Sequence, residues 1–412
     1  MHRSRVLLWA ILIIVLGLAP ITANPAVAST PVPAGLAAQM DTSGPADYPS
    51  GINPLTGLPV DNPADLDLPP ALVSISTFPP SVRPQSGLSY SPWVFELFIG
   101  EGMSRYLALI YGNYPQADLE DAGTTEDETI TADDPSIGPI RSGRLPYESI
   151  RKLYNGFLVM ASAYHTVAEK LSDFSNIFGT DDDVSGGSSV KSTDLRVLAE
   201  SFREKLRMTV EGLGGMHFDP QYPEGGLPAS QIWYPVAVLN QVVWQYDPAA
   251  GAYTRWQDNG DGVTFIQQYD KLNGETLTYE NVVILFAEHH RYADTLMDID
   301  LLYVTKGKAV LFRDGQKYDL YWTTRSGEYE QTTGLMRPIR FMDADGNPFP
   351  FKPGQTWVHL TPLGAPVYET EPWEMTGLTD PHTAWQQHKR SRGEGTGYWT
   401  VEFYQPEIVP QN

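Results

Sequence analysis

The chain has 412 residues, 42% hydrophobic and 11% aromatic, with 50 acidic against 28 basic side chains and a formal net charge of −22. Such a composition excludes global disorder, the length suggests two domains or one large one, and the acidic balance argues against nucleic acid or a polyanionic membrane surface as partner. Cysteine is absent, which rules out disulfides, thiolate metal sites, a cysteine nucleophile and a lipidated N-terminal cysteine.

Arg3 and Arg5 precede an apolar run from Val6 to Leu18, followed by Pro20 and the small-x-small triplet Ala26-Val27-Ala28. Residues 1–28 thus have the pattern of a secretory signal peptide, too short for a comfortable membrane span. An exported chain is expected, extracellular or associated with the cell envelope, touching a membrane only if that segment stays uncleaved. Residues 29–50, rich in Pro, Ala, Gly, Ser and Thr, read as a linker.

The folded part opens at Asn53-Pro54-Leu55-Thr56-Gly57, and the alternation from Ala71 to Thr77 predicts a strand. Trp93 to Ile99 and Arg105 to Tyr111, joined by Gly100-Glu101-Gly102-Met103-Ser104, predict a hairpin. With Ile99 opposite Arg105, one face carries Val94, Glu96, Phe98, Tyr106, Ala108 and Ile110. Glu96 is then a lone carboxylate on an apolar face, costly unless a cation meets it. Asp118 to Asp134 holds eight carboxylates and no base, the signature of a solvated loop.

Pro146, Ile150, Leu153, Tyr154 and Phe157 mark a helix start, and Phe157 to Ala161 a strand. Gly179 to Ser189 is a second acidic loop, and Leu195, Leu198, Ala199, Phe202 and Leu206 give an amphipathic helix. Beyond about residue 225 come β-prone runs: Val242–Tyr246, Tyr253–Trp256, Val282–Phe286, Leu301–Val304, Ala309–Phe312, Tyr318–Trp322 and Thr356–Leu360. The expected class is α+β, with a mixed α/β domain over residues 51–224 followed by a mostly antiparallel β domain over 225–362. Residues 363–412, with Trp373, Trp385 and Trp399 but no clear period, form an extension, either packed or partly ordered.

Arginines in short Gly- and Ser-bearing contexts are the best pointer to a site: Arg83-Pro84-Gln85-Ser86-Gly87, Arg105 just after Glu101-Gly102, and Gly138-Pro139-Ile140-Arg141-Ser142-Gly143-Arg144. Planar guanidinium groups suit fixed recognition of carboxylate or phosphate. Arg141, Ser142 and Arg144 precede a helix start, and Arg83, Gln85 and Ser86 can converge on them from another loop. The structural alternative is that Arg83, Arg105 or Arg141 pairs with Glu96 or Glu101 and fixes the hairpin.

Other constellations are weaker. Glu96 with Glu101 could be a carboxylate pair for sugar hydrolysis, but one sits mid-strand and the other in a loop. Ser149 with Lys152 and Ser188 with Lys191 have a Ser-x-x-Lys spacing without its companion elements. His289 and His290 point to opposite faces of a strand, and His165 is the only histidine near the arginine segments. Asp258-Asn259-Gly260-Asp261-Gly262 is too compact for an EF-hand and reads as a turn. No metal or cofactor is expected.

A series of short motifs runs in order over residues 51–362. The first are Asn53-Pro54-Leu55-Thr56-Gly57, Arg83-Pro84-Gln85-Ser86-Gly87-Leu88, the Phe95-Glu96 to Arg105 hairpin and Gly138-Pro139-Ile140-Arg141-Ser142. Later come Trp244-Gln245-Tyr246-Asp247-Pro248, Phe312-Arg313-Asp314-Gly315, Asp343-Ala344-Asp345-Gly346 and Gly354-Gln355-Thr356-Trp357. This series resembles the YerB-like family of bacterial proteins described as lipoproteins, a domain of unknown function with N- and C-terminal parts. The resemblance implies a two-part domain exported to the cell envelope, with no established activity to carry over. Family members often have a lipobox cysteine, absent here. They also tend to have a basic, histidine-containing stretch where this chain has Gly179-Thr180-Asp181-Asp182-Asp183 through Lys191, and the acidic loop before Ser136 looks like an insertion. The leading expectation is a non-catalytic envelope binding domain with an Arg/Ser-lined cleft for a cell-wall glycan or anionic small molecule. The alternatives are a cell-wall hydrolase or transferase using Glu96 or Glu101 with His165, and a scaffold that binds an envelope protein.

Overall fold

The computed structural model describes residues 44–116, 134–179 and 188–409. The signal segment, most of the linker and most of both acidic loops lie outside the described residues. In chain order the first strands are β1 (Ala71–Ile75), β2 (Trp93–Gly100), β3 (Met103–Ile110), β4 (Phe157–Met160) and β5 (Ser175–Ile177). Next are β6 (Gln231–Ala237), β7 (Asn240–Asp247), β8 (Ala252–Asp258), β9 (Phe265–Gln267), β10 (Asn281–Ala287), β11 (Gly307–Arg313) and β12 (Gln316–Thr323). The last are β13 (Arg340–Met342), β14 (Thr356–Pro362), β15 (Val367–Glu369) and β16 (Tyr398–Val401). The helices are α1 (Pro146–Leu153), α2 (His165–Ala168), α3 (Ser192–Leu206), α4 (Glu328–Thr333) and α5 (Pro381–Arg390). The class is α+β, as expected from the sequence.

An eleven-stranded sheet runs β13-β12-β11-β10-β14-β2-β3-β1-β4-β5, with Leu227–Pro228 added beside β12. Strands from both halves of the chain build it: β14 pairs in parallel with β2, Trp93 opposite Thr356, and with β10, Asn281 opposite Thr356. A seven-stranded sheet runs β9-β8-β7-β6-β16-β15, with Thr278–Tyr279 added beside β8. Alternation gives the large sheet two buried faces. Val94, Phe98, Tyr106, Val282 and Trp357 pack with Ile232, Tyr234, Trp244 and Tyr253 of the small sheet in one core. Trp93, Phe95, Leu107 and Leu109 pack beneath Tyr147, Ile150 and Leu153 of α1 in the other.

Three local expectations need correction. The hairpin face is as expected, but Leu97, not Ile99, stands opposite Arg105, a two-residue shift. The joining turn is only Glu101-Gly102, both left-handed (φ 51° and 75°), as a two-residue hairpin turn of this twist requires. Leu301–Val304 is not a strand: Tyr303 has φ 62°, and Val304 is held by Thr323 and Thr324 side chains. β6 had no expectation because Pro235 interrupts its pattern; the proline sits at a bulge in the pairing with β7. The tail beyond Pro362 is packed, with β16 lying parallel to β6.

Candidate functional site

Strand alternation divides the sequence-predicted arginine cluster between the two sides of the large sheet. Glu96 stands opposite Tyr106, so Arg105, one residue earlier, projects from the other face. Glu96 and its surroundings face the small sheet, whereas Arg105 points toward the segment leading into α1.

On the first side Glu96 is only 2% exposed. Its Oε1 accepts from Ser104 Oγ at 2.8 Å, and its Oε2 accepts from Arg255 at 3.2 Å and from the Trp357 indole at 3.1 Å. The cation meeting Glu96 is therefore none of the arginines expected from the sequence; it is Arg255 of β8. That guanidinium lies over Trp357 at 4.6 Å and Tyr106 at 5.2 Å, and also donates to Gln257 at 2.8 Å. His359 completes the group, its Nε2 accepting from Trp244 at 2.9 Å and its Nδ1 3.4 Å from Glu96. Burial alone would raise the Glu96 carboxyl, but Arg255, His359 and Ser104 together hold it below its ordinary value. Burial pushes the His359 imidazole down to about 4.

Arg83 also belongs to this side. Half-buried, it donates to the carbonyls of Thr77 (3.2 Å) and Asp258 (2.6 Å), and burial lowers its affinity for a proton. Gln85 is buried and donates to Ser76 O at 3.0 Å, and Ser86 Oγ donates to Ser136 O at 2.6 Å. These three side chains fasten the loop after β1 to its neighbours. Glu101 is exposed at the hairpin tip, so Glu96 and Glu101 do not face a common space. His165 is exposed at the start of α2 with its ring 4.2 Å from that of Tyr164.

On the second side the segment Gly138–Arg144 is laid along the end of β1. Arg141 N donates to Ser74 O at 2.9 Å, Ala161 N to Arg141 O at 3.0 Å, and Gly143 N to Ser162 O at 2.8 Å. A side chain at Gly143 would reach Met160 Sδ at 2.5 Å, so a larger residue here would have to push the Met160 side chain aside. The backbone so fixed gathers Arg105, Arg141, Ser142 and Arg144 around a pocket of about 400 Å³. Thr77, Phe78 and Pro79 supply one wall, and Ile99, Met103, Ser104 and Thr295 the rest. Arg105 reaches the carbonyl of Ser142 at 3.3 Å, and Arg144 that of Gly143 at 2.9 Å. Beneath them burial pushes the Tyr147 phenol up, with Arg105, the Ser74 hydroxyl and Arg144 pulling the other way. Guanidinium groups from two separate segments, with a hydroxyl and apolar walls, can hold a carboxylate or phosphate.

Arg255 was not among the residues expected from the sequence, although a signal exists: Tyr253, Arg255 and Gln257 alternate onto one face of β8, which makes Arg255 the one cation of that face. Thr295 and Phe78 carry no such signal. His289 and His290 do separate, one to Ala287 O and the other to Asp300. Asp258 Oδ1 accepts three backbone N–H groups of its own turn, from Gly260, Asp261 and Gly262.

Comparison with known proteins places this architecture. Residues 55–198 match the family described as protein of unknown function (DUF3048) N-terminal domain, and residues 234–358 its C-terminal domain. The protein named "Putative lipoprotein YerB" of Bacillus subtilis (strain 168) is 28% identical over 328 residues, spanning 75% of this chain and 86% of that protein. The crystal structure of YerB from Bacillus subtilis superposes with a TM-score of 0.55 at 22% identity, covering 75% of this chain and 95% of that one. With both parts matched in order, the chain belongs to the DUF3048 family of YerB-like proteins.

Proposed function

We propose that this protein is a non-catalytic binding protein of the cell envelope whose Arg105–Arg141–Arg144 pocket takes an anionic ligand, a small molecule or an acidic cell-wall glycan. One observation carries the reading: guanidinium side chains from β3 and from the 141–144 segment line a single pocket together with Ser142. The cell-envelope setting is supported by the lipoprotein name of the relative and by the apolar N-terminal run. The non-catalytic reading is supported by the sealed position of Glu96, whose two oxygens are taken up by Ser104, Arg255 and Trp357.

Calorimetric titration with citrate, inorganic phosphate and soluble peptidoglycan fragments tests it. At least one of these should bind, and Arg141→Ala should weaken that binding by roughly tenfold, the size of one charge-assisted contact, without lowering the melting temperature. Equal affinity in the variant and the native chain sinks the proposal. Release of a new product from the peptidoglycan fragments, read by mass spectrometry, would show the non-catalytic part to be wrong.

A further inference from the structure

A second group of arginines lies in the C-terminal half and shares no lining residue with the first pocket. Arg337 and Arg340 flank the short turn into β13, and Arg325 follows β12. All three line a pocket of about 550 Å³, a volume in the range of small-molecule sites.

The charge here is unevenly balanced. Glu330, in the first turn of α4, is buried and accepts from Gly327 N at 2.7 Å, closing that helix. The same carboxylate accepts from Arg337 at 2.9 and 3.2 Å and from Arg340 at 3.3 Å. One carboxylate thus serves two guanidinium groups, and the other bonds of Arg340 go to backbone carbonyls, with Arg325 O at 2.9 Å. Carbonyl contacts satisfy hydrogen bonds without cancelling charge. Arg325 makes no ion pair among the described residues, and the carboxylate that lines the pocket, Asp345, is exposed. Burial and then the neighbouring Arg337 push Arg340 down to about 10, with Glu330 pulling the other way, as a cation that shares one carboxylate in a partly dry site should be. The lining also includes the apolar side chains of Met342 and Pro348, with Phe341 buried beside them.

We propose that Arg325, Arg337 and Arg340 form a second ligand site, for a molecule that joins a phosphate or carboxylate group to an apolar body. The oxyanion sits between Arg340 and Arg325, where positive charge is in surplus, and the apolar part covers Met342 and Pro348. Binding relieves the repulsion between Arg337 and Arg340.

Calorimetric titration of the native chain with monohexyl phosphate, hexanoate and inorganic phosphate tests this. Monohexyl phosphate or hexanoate should bind at least roughly tenfold more tightly than inorganic phosphate, and the better of the two identifies the head group. Arg340→Gln should weaken that binding by roughly tenfold or more. If Arg340→Gln unfolds because Glu330 loses a partner, Arg325→Gln, at an exposed position, should still weaken it. The same titration of Arg141→Ala, which disables only the first pocket, should still show this tighter binding of the amphiphile. Three outcomes overturn the proposal: no binding by either amphiphile, equal affinity for the amphiphile and inorganic phosphate, or loss of binding in Arg141→Ala but not in the Arg340 and Arg325 variants.

Discussion

Glu96 and Arg255 are each almost completely buried, at 2% and 1% exposure. Removing one charge of such a pair leaves the other without compensation in the dry space between two sheets. Arg255→Met should therefore cost about 3–5 kcal/mol of stability in urea unfolding. The double variant Glu96→Gln with Arg255→Met should recover part of that loss, because the amide oxygen can still accept from the Trp357 indole while its NH2 donates to the Ser104 hydroxyl. If the two single losses simply add, the pair is not coupled as described. His359 makes a separate prediction. Its folded value near 4 lies below the value of about 6.5 it regains when unfolded, so the unfolded chain takes up its proton first as pH falls. The contribution is fully present above about pH 6.5 and is lost as pH drops towards 4. The stability advantage of the native chain over His359→Gln should shrink across that window, by an amount of order 3 kcal/mol; an advantage flat with pH would be the wrong result. At this scale the sequence was half legible. A lone glutamate on an apolar strand face announced a cation, but the arginines nearest in sequence project elsewhere, and the true partner is 159 residues away.

Among the elements, the β2–β3 hairpin links the two sides of the sheet. Its tip is so tight that Gly100, at φ 103°, lies against the Asp294 carbonyl, which an added methyl group would meet at 1.9 Å. Gly100→Ala should lower stability by more than about 1 kcal/mol, since both the backbone region and the contact forbid a side chain. It should also displace Thr295, next in the chain, and so weaken anion binding at the Arg141 pocket. Unchanged melting temperature together with unchanged affinity would contradict this account. The strands and helices themselves were readable because their apolar periods are long: β2, β3, β10, β12 and α3 stand within a few residues of expectation. Register was not, because it depends on how many residues the turn consumes. A five-residue loop and a two-residue turn fit the same glycines until the backbone angles are known.

For the whole molecule, the large sheet has β14 at its centre, between β2 of the first half and β10 of the second. Either half alone would expose the hydrogen-bonding edge of β2 or β14 together with a wide apolar face. Separately produced fragments 44–224 and 225–409 should each fail to give a cooperative transition, whereas the intact chain should unfold in one step seen alike by fluorescence and circular dichroism. A sharp independent transition from either fragment would overturn that expectation. No local feature of the chain announces this arrangement. Turn-separated β runs with a change of character near residue 225 suggest a boundary, while parallel pairing between distant strands leaves no local trace.

The contact from Trp357 to Glu96 spans 261 residues. A chain emerging N-terminus first can form the β2–β3 hairpin early, but it has nothing to lay beside the other edge of β2 until β14 arrives. Closure of the sheet is thus a late event by construction, limited by the slow search that distant strand pairing imposes. Until about Pro362 is free to pair, the molecule stays open, with both arginine pockets set on halves of an unfinished sheet.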